Sequence, residues 1–163
     1  IYDTPWIHVS VSTGDNYPGD GFLDRLTAAS LAPEPPLDAK RADALAYARY
    51  ERLPQNQFGL TVYGPAGVDP RTGRPYREDR YANDVFVHRG KDGKVGTYIE
   101  CGNNREGVAS CNQKFSLEPA IRAEINVNYR RDQLSEWAQF QSAVTDQILN
   151  FRTKDANPST VNR

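Results

Sequence analysis

Near the start of the chain Ile7, Val9 and Val11 alternate with His8, Ser10 and Ser12, the two-residue period of a strand with one buried face. The stretch 13–21 is rich in Gly, Asp, Asn and Pro and reads as a long loop. A short helix is expected over 22–31, after which Pro33, Pro35 and Pro36 forbid regular structure. Asp38 can cap a second helix over 39–53, rich in Ala, Arg and Leu and stopped by Pro54. Strand periodicity then takes over. Phe58, Leu60 and Val62 alternate with Gly59 and Thr61, and 84–88 forms another strand after a polar loop over 64–83. Asp92-Gly93 is a pair favoured in type I′ hairpin turns. Val95, Thr97, Ile99 and Cys101 share a face of the returning strand, and 111–117 is the next strand. Ile125, Val127 and Tyr129 alternate with Asn126, Asn128 and Arg130, a strand with one wet face.

The C-terminal helix gives the clearest pattern. Leu134, Trp137, Phe140, Val144, Ile148 and Phe151 recur at spacings of three and four and make one apolar stripe, with Asp132 as N-cap and the helix over about 133–152. The predicted fold class is α+β: an antiparallel β-meander packed against a C-terminal amphipathic helix, with an additional N-terminal strand and helix. We expect a single domain over 1–163, with 153–163 a frayed tail.

Composition narrows the function. Charged residues are 25% and apolar residues 38% of the 163, the balance of a chain able to bury a core. A net charge of −1, with basic residues set beside acids, argues against nucleic-acid binding. No apolar run approaches the roughly 20 residues of a membrane-spanning helix. The chain holds no methionine, so an upstream segment is expected to have been removed: a secretory signal, or a cut purification tag.

Cys101 and Cys111 flank a turn-rich stretch. On neighbouring antiparallel strands they come within disulfide reach, and a loop this short gains about 2–3 kcal/mol from closure. The alternative is two unrelated buried thiols. A bridged pair favours an extracytoplasmic compartment, the bacterial periplasm above all.

Catalytic patterns are missing from the sequence. The two histidines, His8 and His88, have no second histidine at a ligand spacing, so neither a zinc site nor another metal site is expected. Phosphate-binding glycine loops and a Gly-x-Ser-x-Gly elbow are absent, and no cofactor is expected. Asp79 and Asp84 are read as solvated. His88 with Glu100 across the hairpin could look catalytic, but an exposed cross-strand ion pair is the preferred reading. The distinctive feature is the loop over 65–81, which mixes Arg71, Arg74, Arg77 and Arg80 with Tyr76 and Tyr81. Long loops in compact domains are often functional, and Arg and Tyr dominate binding hot spots. A solvated insertion is the alternative. Tyr76, Arg77 and Tyr81 are the first candidates for partner contacts, and Asp15, Tyr17 and Asp20 in the acidic loop are the second.

A strand ending Val127-Asn128-Tyr129-Arg130, then Leu134-x-x-Trp137, then a helix closing at Ile148-x-x-Phe151, follows the cysteine-flanked hairpin. Over 84–152 this resembles small periplasmic proteins and lipoproteins that act as immunity proteins of type VI secretion effectors, and among them the partners of secreted phospholipases of the phospholipase D class. The resemblance implies a protein without catalytic residues that binds a cognate lipid-cleaving effector and covers its active site. It also implies a periplasmic location, with a lipid anchor on a cysteine upstream of Ile1 if the protein is a lipoprotein. The competing classes are a small periplasmic hydrolase built around His88 and an envelope binding module with no toxin partner.

Overall fold

The fold is seen in a computed structural model that describes residues 7–34, 45–104 and 108–155. Seven strands form one antiparallel sheet: β1 (His8–Thr13), β2 (Tyr50–Arg52), β3 (Thr61–Pro65), β4 (Asn83–Arg89), β5 (Val95–Gly102), β6 (Ser110–Ser116) and β7 (Ala123–Arg130). The order β1-β7-β6-β5-β4-β3-β2 makes β2 to β7 a meander, with β1 added beyond β7. Helix α1 (Phe22–Leu31) covers one face and α2 (Trp137–Asp155) lies on the other, so the α+β class holds.

The pleat sorts the side chains. Phe86, Ile99, Cys101, Cys111, Phe115, Ile125, Val127 and Tyr129 point toward α2 and form the main core with Leu60, Val62, Leu134 and Val144. Val85, Val87, Val95 and Tyr98 point the other way, onto Phe22 and Leu23 of α1. A buried polar chain crosses the main core: the Tyr129 hydroxyl donates to Gln113 Oε1 (2.7 Å), Gln113 Nε2 donates to Gln141 Oε1 (3.2 Å), and Thr97 donates to the same oxygen (2.7 Å). It satisfies Gln113 and Thr97, which are 0% and 1% exposed. Burial pushes the Tyr129 hydroxyl well above its ordinary pKa.

Several elements differ from the sequence reading. Over its described part, 45–53, the predicted helix gives way to β2, paired antiparallel to β3 from Tyr50↔Pro65 to Arg52↔Tyr63; Asp38 and residues 39–44 lie outside the described residues. Ladder hydrogen bonds and the packing of Tyr50 near α1 outweigh helix propensity there. Strand β3 begins at Thr61, because Gln57 and Leu60 bridge across a tight turn in which Phe58 adopts φ +52° and stays exposed. At the β4–β5 turn only Gly93 has positive φ. Type I′ needs two such residues, so the hairpin closes instead with a register shift at His88/Arg89. Asp132 does not cap α2. A 3-10 turn, Arg131–Glu136, precedes the helix, and the Asp132 carboxylate takes Arg130 at 2.5 Å. Phe151 is 58% exposed, so the apolar stripe stops covering the sheet before its end. The helix continues to Asp155, past the predicted end.

Candidate functional site

The loop between β3 and β4 is structured rather than a free insertion. Gly67 and Val68 pair back onto the segment before the second turn: Val68 bridges Pro75, Asp69 N donates to Arg74 O (2.9 Å) and Tyr76 N donates to Gly67 O (3.0 Å). Asp69 closes the tip by accepting from Arg71 N (2.8 Å) and the Arg71 guanidinium (3.2 Å). Those contacts hold its carboxyl below the usual carboxylate range. A 3-10 turn, Tyr76–Glu78, follows.

That turn aims Arg77 inward. Its guanidinium makes a two-pronged contact with Asp84, Nε to Oδ1 at 2.9 Å and Nη2 to Oδ2 at 3.1 Å. Arg131 reaches the same carboxylate from the 3-10 turn before α2, Nη2 to Oδ2 at 2.6 Å, and also donates to Gly102 O (2.7 Å). The expectation of a solvated Asp84 is therefore overturned: its side chain is 0% exposed and held by two arginines. The pleat explains this. Asp84 precedes Phe86 by two, so both side chains face the core side, and a carboxylate there needs cationic partners. Asn103 completes the clamp, with Nδ2 donating to Arg77 O (2.6 Å) and its backbone N to Ala82 O (2.8 Å). Gly64 leaves room for it: a Cβ there would meet Arg77 Cδ at 3.0 Å. Loop, disulfide hairpin and helix entry are thus tied at one end of the sheet.

The outer face of this loop carries the accessible groups. Tyr81 is 70% exposed, with the Arg80 guanidinium 4.5 Å from its ring centroid and donating to its hydroxyl. Tyr76 is half-buried beside a cleft of about 400 Å³ lined also by Arg74, Glu78, Asp79, Arg80 and Asn104. Of the first three candidates, then, Tyr76 and Tyr81 present surface, and Arg77 holds the loop in place.

The second candidate loop lies at the opposite end of the sheet, because it follows Thr13, which pairs with Ala123 at the start of β7. Asp15 sits in a 3-10 turn, Gly14–Asn16, and is exposed. Tyr17 packs edge-on to Phe22 (5.9 Å) beneath Arg122 (5.4 Å), and burial is the largest cause raising its hydroxyl pKa. Asp20 meets Arg122 at 3.4 Å. The two loops make separate surfaces.

The pairing of His88 with Glu100 does not occur. His88 lies opposite Thr97 and Glu100 opposite Val85, which puts them on opposite faces. His88 stacks on Trp137 (5.4 Å), and Glu100 accepts from Asn83 Nδ2 (2.6 Å) and the Tyr98 hydroxyl (3.2 Å). Among the described residues no group of three or more His, Cys, Asp or Glu is gathered to hold a metal. No helix among them is long and apolar enough to cross a membrane. Cys101 and Cys111 are directly opposite in the β5–β6 ladder and form the expected disulfide.

Sequence reasoning missed the Asp84–Arg131 contact. The signal was present in the alternation Asp84, Phe86, His88, which sets a carboxylate on the apolar face of β4; the partner, 47 residues away, was not.

No protein-family model matches the chain, and no curated protein matches it in sequence. Among solved structures it is similar to an immunity protein of the Stenotrophomonas maltophilia type IV secretion system, with a TM-score of 0.62 and 22% identity. The similarity covers 88% of this chain and 68% of that one, so the chain shares the fold of that immunity protein.

Proposed function

We propose that this chain is an immunity protein, a non-enzymatic inhibitor that binds a toxic effector delivered by a bacterial secretion system. The observation that carries the reading is the shared fold with an immunity protein over 88% of the chain. The resemblance over 84–152 leads to the same role by a separate route. The two differ in the machinery: the resemblance is to partners of type VI effectors, whereas the structural neighbour serves a type IV system. The reading is accordingly immunity toward a secreted effector. A lipid-cleaving target of the phospholipase class is its narrower form and rests on the resemblance.

Physical features support a binding role. Inhibition of an enzyme needs a preformed surface, since ordering a loop on association costs affinity. The Tyr76–Tyr81 segment is preformed, clamped through Arg77 and Asn103 to a disulfide-bridged hairpin. It presents Tyr81 with a guanidinium stacked on it, a rigid aromatic suited to an interface centre. The disulfide suits the periplasm, where such an effector would act.

The test is to purify the chain with the effector encoded beside its gene, and to measure binding by calorimetry and inhibition with the effector's substrate. Tight binding and loss of effector activity are expected. Tyr81→Ala should weaken binding by roughly 2–4 kcal/mol if it is a hot spot, with the melting temperature unchanged. Unchanged affinity in Tyr81→Ala and Tyr76→Ala would move the interface to another surface. No binding and no inhibition would end the immunity reading.

A further inference from the structure

The two edges of the sheet are built differently. Strand β2 has three residues, two of them the charged Glu51 and Arg52, a short and charged edge that resists further pairing. Strand β1 has six residues, His-Val-Ser-Val-Ser-Thr, with no acid, lysine, arginine or proline. It pairs with β7 along its whole length, and no strand among the described residues pairs with its outer side. Its backbone there offers a row of donors and acceptors with none of the usual guards.

The side chains extend this asymmetry. Val9 and Val11 lie opposite Val127 and Ile125, which are fully buried beneath α2. Ile7, Val9 and Val11 nevertheless remain 36%, 37% and 47% exposed. The apolar floor of the core therefore continues past the helix to the sheet edge and stops in water. On the other face His8 and Ser10 lie opposite Asn128 and Asn126, and Ser12 lies opposite Glu124, whose charge is taken by Lys114 at 2.8 Å.

We infer that β1 is a self-association edge, joining two copies of this chain through antiparallel β1–β1 pairing. The occupant is set by complementarity. Antiparallel pairing about a two-fold axis at Ser10 places Val9 against the other copy's Val11 and Val11 against its Val9, β-branched pairs of the kind that stabilise ladders. It places serine against serine or histidine on the reverse face. No formal charge meets another, and the whole chain carries only −1. A strongly charged partner strand would gain nothing from this edge, whereas an identical strand matches it on both faces and closes the assembly at two copies. The inference concerns a surface away from the Tyr76–Tyr81 loop and stands apart from the effector reading.

Sedimentation of the full chain from dilute to concentrated solution tests it. The wild type should approach twice the 18.3 kDa chain mass, and Val11→Lys should stay monomeric with an unchanged melting temperature. Ser10→Cys, oxidised, should give a covalent dimer, because two cysteines directly opposite in an antiparallel pair can bridge as Cys101 and Cys111 do. Should Val11→Lys fail to fold, the Ser10→Cys cross-link decides alone. A wild type that stays monomeric and a Ser10→Cys variant that does not cross-link overturn the proposal. So does a dimer that survives Val11→Lys, or a monomer that loses effector binding on Val11→Lys, since the edge would then belong to another partner.

Discussion

Asp84 is the second residue of β4, whose even-numbered residues face the α2 side, so its carboxylate enters the core beside Phe86. Arg77 and Arg131 make that placement tolerable, and each still reaches water, with side-chain exposures of 39% and 24%. Asp84→Ala should cost about 3 kcal/mol in chemical denaturation, the lower end for removing one partner of a buried pair, because the arginines left behind stay partly hydrated. Arg74→Ala, on the exposed tip, should stay within about 0.5 kcal/mol. Equal effects from the two would mean that Asp84 is not the clamp. The buried tyrosines set an alkaline limit. Burial, and then the charges of Glu100 and Asp84, push the Tyr50 hydroxyl from its ordinary 10.0 to about 12. Burial drives Tyr98 and Tyr129 up as well. A pKa raised in the folded state contributes stability that is present below the unfolded value and is lost as pH rises through the folded one. Stability should therefore hold to about pH 10 and fall above it, with phenolate absorbance appearing in two stages, the second together with unfolding. A single stage near the ordinary value with the fold intact would contradict this.

For whole elements, packing decided more than propensity. The residues of β2 carry a helical composition, and pairing with β3 makes them a strand. Helix α2 meets the sheet along Trp137, Phe140, Val144 and Ile148, and its continuation to Phe151 is exposed. Trp137 is half-buried, its indole N–H donating to Phe58 O (3.0 Å) and its ring against His88. Trp137→Ala should then cost about 2 kcal/mol, below the roughly 3–5 kcal/mol of a fully buried aromatic. Phe151→Ala should stay within about 0.5 kcal/mol. Gln113→Ala should cost about 2 kcal/mol despite its small change in apolar area, since it leaves the buried Tyr129 hydroxyl without its acceptor and Gln141 Oε1 with Thr97 alone. If Gln113→Ala is neutral in urea, water has replaced the amide.

In the molecule as a whole, the disulfide bridges the strands next to the Arg77–Asp84–Arg131 clamp, with both cysteines at most 1% exposed. Alkylation of the denatured protein without reductant should label nothing, and the Cys101→Ser/Cys111→Ser variant should lose about 2–3 kcal/mol, the closure contribution of so short a loop. Full stability in that variant would make the bridge incidental. The sequence by itself determined the meander from β3 to β7, the bridged pair, the position of α1 and the apolar stripe as far as Ile148. Periods of two and of three to four residues, like the reach between two nearby cysteines, are local properties, and local sterics and hydrophobicity settle them. Only the tertiary structure decided the rest. Register put His88 and Glu100 on opposite faces, drew Asp84 between two arginines, converted Arg77 from a surface candidate into an anchor and left Val9 and Val11 exposed on an edge strand of the described sheet. Each of these outcomes depends on which residues meet across strands or from distant segments, and a periodicity read along one stretch carries no record of its neighbour.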